Sequence, residues 1–123
     1  MYILDTSAIV EILKNSQKGR QIIGIINDEA VVISSFQIYE ILLGMKKEEI
    51  EKTYKMLFNL PIIDFGKEAA VESVKIQKEL ISHGKYIGII DIFIASLCIF
   101  NKATLITLDK DFESIKGLNL ELF

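Results

Sequence analysis

Short, continuous apolar runs alternate with helix-length segments along the whole chain, and this alternation constrains its fold more than any other feature. Tyr2-Ile3-Leu4, Ala30-Val31-Val32-Ile33, Leu60-Pro61-Ile62-Ile63 and Thr104-Leu105-Ile106-Thr107-Leu108 have the character of strands, with Leu118 to Leu122 a fifth. Unbroken β-branched runs such as Ala30–Ile33 indicate strands covered on both faces. Pro61 puts its strand at a sheet edge or a strand start, because proline brings no N–H to a ladder. The intervening segments predict helices from Ala8 to Leu13, Lys18 to Asn27, Ser34-Ser35 to near Gly44, Lys46 to Asn59, Lys67 to Ser82, and Ile92 to Phe100 capped by Asp91. Ile50, Tyr54, Leu57 and Phe58 give the fourth helix an apolar face, and Val71, Val74 and Ile81 share one side of the fifth. The expected fold is α/β and doubly wound: three layers, with a central mostly parallel sheet flanked by helices, in one domain over residues 1–123.

Composition narrows the function classes. Half of the 123 residues are hydrophobic and a quarter are charged, which excludes a disordered tail, a collagen and a charged coiled coil. The 14 Lys and Arg against 17 Asp and Glu give a net charge of −3, unsuited to a broadly electropositive nucleic-acid wrapper but compatible with a small basic patch beside an acidic site. The single cysteine, Cys98, excludes an intramolecular disulfide and a cysteine-based zinc cage. The start of the chain reaches Asp5 too early for a signal peptide, and Ile87 to Phe100, broken by Asp91, is too short to span a bilayer. A cytoplasmic protein without membrane association is expected.

Topology then decides which side chains meet. In a doubly wound sheet the strand C-termini and helix N-termini share one edge, where ligands bind. Asp5 ends the first strand, Asp91 starts a helix, and Asp109 follows the strand Thr104–Leu108, all on that edge. Glu40 sits about five residues into its helix, roughly 8 Å below the start, within reach of a long side chain. Two unit charges about 4 Å apart repel by roughly 4 kcal/mol at an effective dielectric near 20, so such a cluster calls for a cation. Oxygen-only donors suit Mg²⁺ or Mn²⁺. The expected chemistry is metal-assisted hydrolysis of a phosphate ester, with the backbone N–H groups near Thr6-Ser7 available to a phosphate oxygen. Periodicity alone leaves other roles open. Asp5-Thr6-Ser7 and Asp91 are also ordinary helix caps, Glu40 also fits a water-facing position, and Asp109 and Asp111 also suit a turn before Phe112.

The remaining polar candidates have structural roles. His83, the only histidine, suits a helix C-terminus beside Gly84. Cys98, among Leu97, Ile99 and Phe100, suits a buried and inert position. Lys46-Lys47 before Glu48-Glu49 suits a solvated helix start.

Four stretches, in order and spaced across nearly the whole chain, closely resemble the PIN-domain ribonucleases, especially the VapC toxins of prokaryotic toxin–antitoxin pairs. They are Ile3-Leu4-Asp5-Thr6-Ser7-Ala8, Tyr39-Glu40-Ile41-Leu42-Leu43-Gly44, Ile89-Ile90-Asp91-Ile92-Phe93-Ile94-Ala95, and Leu105-Ile106-Thr107-Leu108-Asp109-Lys110-Asp111-Phe112. The resemblance implies a Mg²⁺- or Mn²⁺-dependent endoribonuclease with Asp5, Glu40 and Asp91 as metal ligands and Asp109 as the fourth acid, with Asp111 an alternative. Thr6 and Thr107 match family polar positions near the metal, and Ser7 and Asp111 join them as candidates to touch the substrate or support the ligands. It also implies an RNA substrate, a homodimer, and a small antitoxin whose C-terminal segment wraps the toxin and blocks the cleft. Lys14, Lys18 and Arg20 flank the turn after the first helix and are candidates to line an RNA path.

Rival readings of the same residues meet specific obstacles. A metal-dependent adhesion module of D-x-S-x-S type requires serine where Ile9 stands. A haloacid-type phosphatase requires a second Asp where Ser7 stands. A receiver domain requires paired acids at the first strand and a lysine after the last. A catalytically inactive PIN scaffold that binds protein or RNA meets no such obstacle, since fold alone does not carry activity.

Overall fold

In the computed structural model, which describes residues 1–123, the strands are β1 Tyr2–Leu4, β2 Val31–Ser34, β3 Ile62–Ile63, β4 Thr104–Thr107 and β5 Asn119–Leu122. The helices are α1 Thr6–Leu13, α2 Gln17–Ile26, α3 Ser35–Leu43, α4 Lys47–Leu57, α5 Lys67–Ser82 and α6 Ile89–Phe100, with a 3₁₀ helix at Lys110–Ser114. The sheet order is β3-β2-β1-β4-β5, and every pairing is parallel. The two-residue β3, which follows Pro61, lies at an edge as the proline requires.

Side-chain alternation along the strands splits the apolar interior into two cores. Ile3, Val32 and Leu105 point to one face, where they meet Ala69, Ile76 and Leu80 of α5 and Ile92, Ile94 and Leu97 of α6. Leu4, Ile33 and Ile106 point to the other, against Ala8, Ile9, Ile22, Ile41 and Leu57 from α1 to α4. Burying each of the Ile, Leu and Val side chains among these contributes about 1.5–3 kcal/mol, so the two cores hold the three layers together. No helix is long and apolar enough to cross a membrane.

Three helix details differ from the sequence expectations. Asp91 does not cap α6; the helix starts at Ile89, three residues earlier than expected, with Gly88 at the cap position, and Asp91 stands in its first turn. On α5 the buried stripe is Ala69, Ser73, Ile76 and Leu80, whereas Val71, Val74 and Ile81 are exposed. Both stripes satisfy helical spacing, and the small residues are the ones that let α5 lie close against α6. On α4 only Leu57 of the expected apolar face is buried, joined by Thr53, while Ile50, Tyr54 and Phe58 remain at the surface. The expected polar roles fit better. His83 follows the last turn of α5 with Nδ1 2.9 Å from the Glu79 carbonyl, and Cys98 is fully buried.

Candidate metal centre

The order 3-2-1-4-5 reverses direction between β1 and β4, and in open α/β sheets ligands bind at such a switch point, outside the strand C-termini. Asp5 leaves β1 there. It occupies the N-cap position of α1, yet its side chain caps nothing. Its Oδ2 instead accepts hydrogen bonds from Ser7 Oγ at 2.9 Å and Thr107 Oγ1 at 2.7 Å. These hydroxyls accept in turn from the loop leaving β4: Leu108 N–H donates to Ser7 Oγ at 3.0 Å, and Asp109 N–H donates to Thr107 Oγ1 at 3.0 Å. Two backbone amides thus act through two hydroxyls on one carboxylate oxygen, which orients the 5 % exposed Asp5 and leaves Oδ1 free.

Glu40 reaches the same switch point from the sixth residue of α3. Thr6 Oγ1 donates to its Oε1 at 2.7 Å, so one oxygen is held and the other remains free. Asp91 projects from the first turn of α6. Phe36 on α3 and Phe93 on α6 pack with ring centroids 5.3 Å apart, and Phe65 joins both, bracing the helix that carries Glu40 against the helix that carries Asp91. One carboxylate oxygen from each of Asp5, Glu40 and Asp91 falls in a group whose members all lie within 4.8 Å of one another.

Asp109 and Asp111 stand at the rim. Asp109 Oδ1 accepts from Asp111 N–H at 2.9 Å and caps the 3₁₀ helix, while Asp111 is exposed. Both act on the centre through their charge. Lys14, Lys18 and Arg20 are exposed around the α1–α2 turn, where Arg20 Nη1 donates to the Asn15 carbonyl at 2.6 Å. Gln37, a polar side chain in an otherwise apolar helix, is fully buried beside this site.

The electrostatics identify the most perturbed acid. Burial pushes the Asp91 carboxyl up to about 7, and the charges of Asp5, Glu40, Asp109 and Asp111 add to the shift in that order. A carboxylate raised in the folded state binds more protons folded than unfolded. Its contribution to stability is fully present below about pH 4 and is lost as pH rises through 7. Without metal, the protein is therefore expected to lose stability between about pH 4 and 7, by about 1–2 kcal/mol after discounting for solvent screening of this half-buried group. Denaturant titrations at pH 5 and pH 8 in chelator check this. A higher midpoint at pH 8, traceable to Asp91, would contradict it.

The donor set fits a hard divalent cation: three carboxylates, no sulfur and no imidazole, clustered so that their mutual repulsion falls when a cation is bound. The PIN domain family model matches residues 2–118. This chain belongs to the PIN domain family. This PIN domain is similar to a chain in the structure of VapBC2 from Rickettsia felis bound to a DNA fragment from their promoter, with 31% identity, a TM-score of 0.87, and 99% of this chain and 98% of that one covered. It also resembles in fold a chain of DNA-bound VapBC from Salmonella typhimurium, at 24% identity and TM-score 0.84, with 98% and 96% covered. A chain of VapBC-1 from nontypeable Haemophilus influenzae shares the fold at 23% identity and TM-score 0.83, again with 98% and 96% covered. No curated protein matches this PIN domain at a significant level.

Proposed function

We propose that this PIN domain is a metal-dependent endoribonuclease, the toxin of a toxin–antitoxin pair, with Asp5, Glu40 and Asp91 holding Mg²⁺ or Mn²⁺. The observation that carries this reading is the convergence of three carboxylates from β1, α3 and α6, far apart in sequence, at the switch point of the sheet. A divalent cation bound there supplies Lewis-acid polarisation of the phosphodiester and an acidified water. The chain's own residues do the rest. Thr6, Ser7 and Thr107 keep the Glu40 and Asp5 carboxylates pointing into the cleft. The first-turn amides of α1, uncapped by Asp5, face the same edge and suit a phosphate oxygen. Asp109 is the fourth acid in this reading, because among the rim acids its charge acts more strongly on Asp91 than that of Asp111.

A small antitoxin and a second copy of the chain are the proposed protein partners, in a cytoplasmic setting. Exposed apolar side chains on α4 (Ile50, Tyr54, Phe58) and α5 (Val71, Val74, Ile81) supply surfaces of the kind that partners cover. The VapBC2 resemblance supports the pairing.

The test is incubation of the purified protein with several structured RNAs, with Mn²⁺ and with chelator. Cleavage in Mn²⁺ alone is expected, together with a rise of several degrees in the melting temperature as ligand binding acts on the folded state. RNA left intact in both conditions for every substrate would overturn the nuclease reading and favour a binding scaffold.

A further inference from the structure

Gln37 lies fully buried between the two elements that carry Asp5 and Glu40, and both ends of its carboxamide are hydrogen-bonded there. Oε1 accepts from the Ser34 N–H at 2.9 Å and from the Ser34 hydroxyl, while Nε2 donates to the Leu4 carbonyl at 2.9 Å. The placement follows from the sheet. The β1–β2 ladder ends at Ile3 opposite Val32, because β2 turns into α3 at Ser34. Ile33 N–H bonds to Pro61 on the β3 side, so by alternation Ser34 N–H faces β1, where no strand partner remains within reach. Gln37 fills that gap, accepting from β2 and donating to β1 as an extra ladder residue would.

The consequence bears on Asp5. The Leu4 carbonyl is held by Gln37, and the Asp5 N–H of the same peptide unit donates to the Ile106 carbonyl at 2.9 Å. Both poles of the peptide that leads into Asp5 are therefore fixed. Gln37 itself is one helical turn before Glu40, so the same side chain ties the Asp5 backbone to the helix that carries Glu40. A capping box at the start of α3 needs only an acceptor at this position, which glutamate would supply as well. The bond to Leu4 needs the amide N–H, which glutamate lacks. The requirement for glutamine thus comes from the β1 side.

We propose that Gln37 is a positioning residue for the metal centre, splicing β1 to α3 so that the Asp5 and Glu40 carboxylates are held at the spacing one cation requires. This rests on the reading of those acids as metal ligands. Supporting partners of metal ligands typically change affinity 10- to 100-fold when removed.

The test is calorimetric titration of Mn²⁺ into wild type, Gln37→Met, Gln37→Asn, Asp91→Asn and Leu57→Ala, with a metal-free melt of each. Leu57, at the end of α4 that leads toward β3 on the opposite sheet edge, reports loss of stability alone. Gln37→Met, which keeps the shape without the donor, is expected to weaken Mn²⁺ binding about 10-fold or more. Gln37→Asn, too short to reach both Ser34 and Leu4, is expected to weaken it about 3-fold and decides the matter if the Met variant does not fold. Leu57→Ala is expected to melt earlier with unchanged affinity. Affinity within twofold of wild type in the folded Gln37 variants, while Asp91→Asn abolishes binding, would overturn the role of Gln37 and leave the centre standing. An equal loss of affinity in Leu57→Ala would overturn it too. Equal Mn²⁺ binding by wild type and Asp91→Asn would instead overturn the centre, and Gln37's role with it.

Discussion

Asp91→Asn is expected to reduce Mn²⁺-dependent RNA cleavage by at least about 100-fold while making the metal-free protein more stable at pH 8. The two effects have one cause. Asp91 is the acid whose charge the fold supports least: burial and four neighbouring carboxylates push it up to about 7, and nothing in its surroundings draws it back. In the proposed function the cation that would relieve this repulsion is the one the reaction requires, and removing the most perturbed of its proposed ligands is expected to forfeit several kcal/mol of charge stabilisation in the transition state. An amide of the same shape carries no charge to repel, so the apo protein gains about 1–2 kcal/mol above pH 7 after the screening discount. The gain should shrink as pH falls to 4 and vanish below that, where the carboxyl becomes protonated in the unfolded chain as well as in the folded one. Initial cleavage rates and denaturant midpoints in chelator at pH 4 and pH 8 check both halves. Unchanged cleavage would remove Asp91 from the site, and a lower midpoint at pH 8 would contradict the electrostatic account.

Gly19→Ala is expected to destabilise the fold by about 2–3 kcal/mol, through backbone collision and not through helix propensity. A Cβ at Gly19 would lie 2.2 Å from the Glu11 carbonyl oxygen and 2.6 Å from its carbon, because α2 crosses directly over the last turn of α1. Ser16 fixes this crossing: its hydroxyl accepts from Gly19 N–H at 3.0 Å and donates to the Glu11 carbonyl at 3.2 Å. Alanine normally favours a helix interior by up to about 1 kcal/mol over glycine, and here that gain is exceeded by forced separation of two backbones. Gly24, on the same helix with open space around its Cβ position, is the internal control. Thermal melts of the two alanine variants should move in opposite directions, and a stabilised Gly19→Ala would show that α1 and α2 are not packed at this distance.

Much of this was legible in the residues because the strands carry their own signal. Val31-Val32-Ile33 and Thr104–Thr107 are too short and too β-branched to make good helices, and their spacing with helix-length segments imposes a parallel sheet. Once the sheet is parallel, Asp5, Asp91 and Asp109 must share an edge, which is why acids 18 to 104 residues apart can be grouped from the sequence. What escaped was whatever depends on the distance between elements. On α5 two stripes compete at helical spacing, and the more hydrophobic one, through Val71 and Val74, is the one left outside. Ser73, whose hydroxyl bonds back to the Ala69 carbonyl at 2.8 Å, is buried because close contact with α6 rewards small volume over apolarity. The start of α6 carries no sequence signal, because Gly88 precedes the helix with no side chain to cap it, and Asp91, the only acid nearby, has the character of a cap. The partners of Asp5 were named individually, but the relay from the Leu108 and Asp109 amides through Ser7 and Thr107 exists only in three dimensions. Gln37 carries a weak sequence signal, a polar side chain in an apolar helix, and its meaning depends on where β1 and β2 part.

The proposed chemistry requires a single cation to be shared by the carboxylates arriving from β1, α3 and α6. Diffraction from crystals soaked in Mn²⁺, recorded where manganese scatters anomalously, measures it directly. The expected map has a strong anomalous peak bonded at roughly 2.1–2.2 Å to oxygens of Asp5, Glu40 and Asp91 together, near the octahedral metal–oxygen distance for Mg²⁺. Manganese found only on other surfaces, with the three carboxylates turned apart, would contradict it.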